Sequence, residues 1–409
     1  MPVRELSAED ALPYRRLSAG AFGGVVDPAD PSSSAPFGDG QTAIGIDSAG
    51  LPGGAEGVLA AGARIRHDEV ALGGGRARCG GIGGLAVHPA HRGEGLFGQL
   101  ITGVIARCAE ERMALSMLYP SNPAIYRRYG YQVVARGETL VVPLLDLQRL
   151  RAVPGRRTVP VTEESMPRVR ALYTELTAAD NAMLRREGPL FGDGLPGDGW
   201  QALLLVDEAG RDRGYLSWTR LGGDGPGLEV HEILGRDRTD LEALLHALGS
   251  WSTVTEQVRL RVRTEDPVLD VLPGSRARPA PGAVPLVMMR VIDTAQALSA
   301  RPAPPGLGGR LRLVVEDDTV PEGTCRAAGA FEVTIADGHV AVEAVPAGTP
   351  PPQRGQVRLD VHAASLLLVG GRSLADARRL GLRAEADGEA AALLDALLAG
   401  PRPSVLDAF

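Results

Sequence analysis

The 409-residue chain contains no lysine; all 43 of its basic positions are arginine. That absence removes a Walker A phosphate loop, a Schiff-base amine and a Ser-Lys dyad from the possible chemistries. Cysteine is nearly as scarce, and Cys79, Cys108 and Cys325 lie too far apart for a disulfide framework or a cysteine zinc site. They read as inert thiols in a reducing, cytoplasmic compartment. No apolar run is long enough to span a membrane, and Met-Pro-Val-Arg-Glu-Leu-Ser at the start holds no signal-peptide core. A formal charge of -7 without a dense arginine stripe argues against nucleic acid and favours a cationic small-molecule partner. His88 and His91 sit three apart on a proline-containing turn with no carboxylate or thiol completing a tetrahedral set. They read as solvated turn residues, and no metal is expected.

What is present is enough apolar residue, 44%, for two or three domains with their own cores. The first unit opens with a short strand at Val3 to Leu6 and a helix at Ala11 to Ala19. A polar loop (Gly23 to Gly40) follows, then strands at Gln41 to Ile46 and Ala55 to Ile65. Next come a strand (Ile82 to Val87), a turn, an amphipathic helix (Glu94 to Arg112) and a strand (Ala114 to Tyr119), with Glu138 to Leu145 closing the unit. Pro, Gly and Arg cluster at Arg151 to Arg157 and again at Asp266 to Pro285, which marks linkers. Between them the order partly repeats. A helical pattern (Glu163 to Glu187), a hairpin turning at Glu208 to Asp212, a strand (Leu228 to Leu234), a helix (Thr239 to Ser250) and a strand (Val258 to Val262) are expected. Gly235-Arg-Asp-Arg-Thr-Asp240 lacks the glycines that let a backbone approach a phosphate, so this second unit reads as a degenerate, structural copy. The third unit places four strands between Arg310 and Val361 before helices at Ala363 to Leu368, Ser373 to Leu380 and Gly388 to Leu398, an α+β arrangement.

The chemistry concentrates between Leu85 and Tyr131. Arg92-Gly-Glu-Gly-Leu-Phe-Gly98 follows an apolar strand and opens a helix whose buried face is Leu96, Phe97, Leu100, Ile101, Val104, Ile105 and Cys108. Gly93, Gly95 and Gly98 therefore stand where free backbone N–H groups point outward and a diphosphate can come close. A glycine-rich turn entering a helix is also a common structural device.

Read with its neighbours, this stretch resembles the acyl-CoA site of the GNAT (GCN5-related N-acetyltransferase) superfamily, whose pattern is Arg/Gln-x-x-Gly-x-Gly/Ala. Phe97 departs from it at the last position. Leu85-Ala-Val87-His-Pro-Ala-His-Arg and Ser121-Asn-Pro-Ala-Ile-Tyr126-Arg-Arg-Tyr-Gly-Tyr131 are similar to the corresponding stretches of the enhanced-intracellular-survival (Eis) acetyltransferases. Met289-Arg-Val-Ile-Asp293 and Leu366 to Arg372 resemble their C-terminal part. The resemblance implies an α/β fold of two tandem GNAT domains, residues 1–152 catalytic and 153–286 degenerate, followed by a sterol-carrier-like α+β domain, 287–409. It implies direct transfer of acetyl from acetyl-CoA to a primary amine of a cationic small molecule, aminoglycoside-like or polyamine. Protein lysines, or a non-enzymatic CoA- or lipid-binding role for the third domain, are the alternatives. In this scheme Leu85, Ala86 and Val87 bind the pantetheine, and Arg92, Gly93, Glu94, Gly95, Leu96, Phe97 and Gly98 hold the diphosphate. Ser121 and Asn122 meet the acyl end. Tyr126 is the general acid, its phenol protonated at neutral pH with an ordinary pKa of about 10; the bland alternative is a core tyrosine. The α-carboxylate of Phe409 is the general base, with a frayed terminus as the alternative. Asp407 and Asp27, with Asp30 and Asp39 on the same loop as Asp27, are placed to attract the amine. Ala408 stands where some members carry an acidic residue. Assembly as a homohexamer is expected on the same resemblance.

Overall fold

The computed structural model describes residues 2–220, 227–274, 276–346, 349–350 and 354–407. Among these, three sheets form. The first runs in the order Arg4–Glu5, Gln41–Asp47, Leu59–Leu72, Gly75–Val87, Leu115–Leu118, Leu286–Val291, Gln132–Arg136. The helix Leu96–Glu110 packs on it because Leu96, Leu100, Ile101, Val104, Ile105 and Cys108 recur on one face, and all six are buried. Each such side chain contributes about 1.5–3 kcal/mol relative to an exposed one.

Two strands change places, which the expected order of units did not contain. Glu138–Pro143 does not close the first sheet; it pairs antiparallel with Gln257–Val262 in the second. In return Leu286–Val291 enters the first sheet between Leu115–Leu118 and Gln132–Arg136. The crossing occurs at Gly137, whose N–H donates to the Pro285 carbonyl at 2.8 Å, so both exchanged segments pass the same point. Propensity and alternation specify a strand but not which sheet edge it joins.

The second sheet otherwise follows expectation, with Trp200–Asp207 and Asp212–Arg220 forming the hairpin and the helix Arg238–Gly249 packed on it. The expected helix from Glu163 to Glu187 is shorter, Met166–Leu176, and Asn181–Leu184 instead adds a strand beside Leu59–Leu72 of the first sheet. The helix stops at Leu176, and Ala182, inside the added strand, takes a left-handed φ of 69°.

The third sheet, His339–Ala344, Gly329–Ala336, Gly309–Glu316, Gln356–Asp360 and Ala384–Ala386, carries the helices Val361–Leu367, Leu374–Arg379 and Gly388–Leu397. Its core, including Leu313, Val333, Val357 and Leu366, is continuous with Leu115, Met117 and Met289 of the first sheet. Arg290, fully buried on the exchanged strand, pairs with Asp317 and donates to the Tyr129 carbonyl and to Thr319 Oγ1. The third domain is thus tied to the turn after Tyr126. No helix of the described residues is long and apolar enough to cross a membrane.

Candidate active site

The strands Gly75–Val87 and Leu115–Leu118 run parallel and in register from Cys79 opposite Leu115 to Ile82 opposite Leu118, where the pairing stops. Beyond it the edge of Gly83 to Val87 that faced the neighbour has no strand against it among the described residues. On the other edge Ala63 alone opposes Gly84 and Leu85, a β-bulge that bends the strand. Gly84 takes a φ of 58°, and a Cβ there would lie 2.2 Å from the Tyr14 hydroxyl, which donates to the Gly84 carbonyl at 3.0 Å. Glycine is required on both counts. The result is a cleft of about 250 Å³ where the strands part, lined by Phe22, Arg64, Gly84, Leu85, Tyr119 and Tyr126, among others.

One turn further on, Gly93 and Gly95 have φ of 91° and 78°, and Gly95 caps the helix beginning at Leu96. The N–H groups of Gly98 and Gln99 bond back to the Gly95 carbonyl at 3.0 and 3.3 Å. The N–H groups ahead of them face outward at the positive end of the helix. Arg92, Gly93, Glu94 and Gly95 are exposed, Leu96 is buried, and Gly98 is held small by the Tyr129 hydroxyl, 2.6 Å from where a Cβ would sit. Phe97, the departure from the glycine pattern, packs edge-on to Tyr126 and Tyr129 at 5.5 and 5.9 Å. His91 is not the solvated turn residue expected: it is buried, with Nε2 2.8 Å from Ser48 Oγ and Nδ1 3.3 Å from Glu94 Oε2. It anchors the turn to the strand Gln41–Asp47 through the residue that follows it. The unbonded edge, the bulge and the two left-handed glycines fit an extended pantetheine and a diphosphate.

Tyr126 lies on the short helix Pro123–Arg127, started by Asn122, whose Oδ1 accepts from Ala124 N at 3.0 Å. Its ring is buried beside Phe97 and Tyr131 while it lines the cleft. Burial raises its pKa, and the Ser121 hydroxyl pulls the other way more weakly. Tyr131 is core, its hydroxyl 2.8 Å from Ser116 Oγ. Cys79 and Cys108 are buried, which pushes both thiols up.

The C-terminal tail reaches this region. Asn181, Thr264 and Arg261 bond to its backbone between Pro401 and Leu406, and the Tyr119 hydroxyl donates to the Asp407 carbonyl. Arg186 Nε donates to Asp407 Oδ1 at 2.8 Å, and the same guanidinium pairs with Glu232, which also accepts from the Tyr215 hydroxyl. Arg186 lies 3.9 Å over the Tyr173 ring with a φ of 32°, a left-handed value in a residue other than glycine. Burial raises the Asp407 pKa against the pull of Arg186. Phe409 lies outside the described residues, as does Ala408. Asp27 is exposed on its loop, where Oδ1 accepts from Ala29 N at 2.9 Å, and Asp30 caps a short turn at Ser32.

Behind the tail opens a larger cavity of about 730 Å³, lined in part by Tyr173, Arg186, His231, Glu232, Arg261 and Asp407. The second unit furnishes most of this wall. Glu232 escaped the sequence reading although a signal existed: it is a carboxylate two residues before Leu234 in an apolar strand, and it is buried on the side of Tyr215. Nothing local marked Arg64, Tyr119, Arg186 or Arg261, which only the tertiary fold brings together. Among the described residues no group of His, Cys, Asp or Glu is placed to hold a metal ion.

Residues 2–134 match an acetyltransferase (GNAT) domain family, residues 180–291 a second such family, and residues 294–406 a sterol carrier protein domain family. No curated protein matches the chain by sequence. Among solved structures, the GCN5-related N-acetyltransferase from Kribbella flavida is similar at 23% identity and a TM-score of 0.79, over 100% of this chain and 98% of its own. The GCN5-related N-acetyltransferase from Anabaena variabilis is similar at 20% identity and a TM-score of 0.81, over 100% and 99%. Eis1 from Mycobacterium abscessus is similar at 19% identity and a TM-score of 0.73, over 100% of both chains. Two acetyltransferase (GNAT) domains ahead of a sterol carrier protein domain, on a fold that overlies these structures from end to end, give the chain an Eis-like tandem-GNAT architecture.

Proposed function

We propose that the chain transfers an acetyl group from acetyl-CoA to a primary amine of a cationic small molecule, aminoglycoside-like or polyamine in type, by direct attack of the neutral amine. The observation that carries this reading is the cleft between the parted strands, where the open strand edge and buried Tyr126 meet beside the arriving tail, with Phe97 of the glycine-rich helix start packed edge-on to Tyr126. In this reading Arg92 to Gly98 hold the diphosphate, Leu85 to Val87 hold the pantetheine, and the backbone of Ser121 and Asn122 meets the acyl end. When bound, acetyl-CoA supplies the activated thioester. Backbone N–H groups of the open edge then stabilise negative charge developing on the carbonyl oxygen.

Tyr126 Oη keeps its proton at neutral pH because burial raises its pKa, and it is the group assigned to give that proton to the departing sulfur. Asp407 brings the tail within two residues of its end, and each extended residue spans at most about 3.6 Å. The Phe409 carboxylate is accordingly assigned as base, relayed through water because its ordinary pKa is about 3.3 to 3.7. Glu232 and Asp407, two carboxylates against the one guanidinium that bridges them, support an ammonium-bearing acceptor in the larger cavity, with Asp27 on the loop outside. Packing of the tail against Tyr119 and Tyr173 supports an enzyme over a lipid carrier. Homohexameric assembly and a cytoplasmic location belong to the same proposal, and a monomeric sedimentation coefficient overturns the first. A screen of primary amines with acetyl-CoA, following thiol release, tests the function. Steady release with at least one amine is expected; release no faster than background hydrolysis for every amine contradicts it.

A further inference from the structure

The tail is set before it reaches the cleft. Asn181 is fully buried on the strand added to the first sheet, and its side-chain amide bonds in two directions. Its Oδ1 accepts from Arg301 Nη2 at 2.8 Å, and its Nδ2 donates to the Pro401 carbonyl at 2.6 Å. A guanidinium carries only donors and a peptide carbonyl only accepts, so one orientation of the amide satisfies both. Arg301 is itself 2% exposed, just past the helix Thr294–Ser299 of the third domain, and the same Nη2 donates to the Val369 carbonyl at 2.9 Å. Two glycines shape its socket: a Cβ on Gly73 would lie 2.0 Å from Nη1, and one on Gly370 would lie 2.2 Å from Nη2. On the tail side, a Cβ on Gly371 would meet the Pro401 carbonyl oxygen at 2.4 Å, so that oxygen has close neighbours in both the amide and the Gly371 turn.

Burial pulls the Arg301 pKa down to about 10, and a buried cation is costlier there than an aliphatic chain of similar length. What the arginine supplies instead is direction. Without its donors the Asn181 amide is free to turn over and set Oδ1 against the Pro401 carbonyl, acceptor facing acceptor. From Pro401 the chain runs through Ser404, whose N–H donates to the Asn181 carbonyl at 3.0 Å and whose Oγ accepts from Thr264 N at 2.8 Å, to Asp407 beside Tyr119. Arg301 lines neither the cleft nor the larger cavity. We infer that it is a positioning residue: by fixing the Asn181 amide it fixes where the tail begins, and through the tail it governs acetyl transfer from a distance. The inference rests on the reading in which the end of the tail serves the reaction, and it gives the third domain a part in turnover.

Asn181→Asp separates positioning from folding. The carboxylate keeps the contact with Arg301 and strengthens it by charge, but it has no donor for the Pro401 carbonyl. The melting temperature of this variant should stay within about 4 °C of the wild type. Hydrogen–deuterium exchange of residues 401–407 in the full chain should nevertheless quicken about tenfold. With a good amine, kcat should fall about tenfold while CoA affinity is unchanged. Arg301→Met should quicken exchange of the same segment, and Asn181→Asp keeps the test open where Arg301→Met fails to fold. Tail exchange that is unchanged in either variant, or that quickens in Asn181→Asp only as much as exchange of the sheet strands, overturns the inference. Exchange quickened at the tail alone with kcat intact sinks instead the reading in which the tail's end serves the reaction, because the tail is then displaced without consequence for turnover.

Discussion

Arg186 Nε donates to Asp407 Oδ1 at 2.8 Å, so a side chain of the second domain grips the tail two residues before its end. Because the same guanidinium neutralises Glu232, removing it leaves two buried carboxylates facing each other across the cavity wall. Arg186→Met should destabilise the protein by about 3 kcal/mol and lower kcat at least tenfold. Adding Glu232→Gln should recover most of the stability but not the turnover, because the tail remains ungripped. Thermal unfolding and steady-state kinetics on the single and double variants check this. Recovery of both together would mean that Arg186 serves folding alone.

Loss of the Tyr126 hydroxyl should lower kcat by about a hundredfold to ten-thousandfold with little change in CoA affinity, the range for a general acid. Since burial raises the pKa of this phenol above its ordinary value of about 10, the proton is present through neutral pH. Any fall in kcat at high pH due to Tyr126 must then lie above about pH 10. A falling limb near neutrality that vanishes in Tyr126→Phe would reassign the acid.

Gly84→Ala places a Cβ 2.2 Å from the Tyr14 hydroxyl in a residue whose φ is 58°. The backbone term alone costs about 1–2 kcal/mol, and the bulge cannot keep its shape around the clash. The variant should melt lower and bind CoA more weakly, whereas Gly53→Ala, with a similar φ of 71° and open space around it, should lose stability without losing CoA affinity. Equilibrium binding of CoA to the two variants separates them.

The first strand is pinned by Arg4, whose guanidinium bonds Asp10 and Asp47 at 2.7 to 2.8 Å. Those hydrogen bonds hold Asp10 down to about 2 and lower Asp47 in the same direction. A depressed carboxyl pKa adds stability above the ordinary value near 3.8, and that stability is lost as pH falls through about 2. The difference in melting temperature between the wild type and Arg4→Met should therefore be constant from pH 7 to about pH 4 and close below it. A gap that persists unchanged under stronger acid would show that Arg4 acts through packing.

Most elements of the fold, and the place where the chemistry begins, were legible because they are local. The helix at Leu96 announces itself by apolar spacing, the phosphate turn by Gly93 and Gly95, and the hairpin at Glu208 to Asp212 by its turn residues. What stayed hidden depends on partners far away in sequence. Glu138–Pro143 and Leu286–Val291 look like ordinary strands, and nothing in either states that each completes the other domain's sheet. His91 looked like a turn histidine because Ser48, which buries its edge, lies 43 residues earlier. The residues after Gly235 cap the second domain's helix through Asp237, but they could not reveal Arg186, Glu232 and Arg261 on the wall around the tail.

The central claim is that the end of the chain completes a cleft built in its first domain. Its most direct test is the single-turnover rate of thiol release from bound acetyl-CoA with a good amine, compared between the full chain and one ending at Ala408. The account predicts a loss of about a hundredfold or more with CoA binding unchanged, because the group proposed as base is removed while Asp407 still docks the tail. A rate equal to that of the full chain would contradict it.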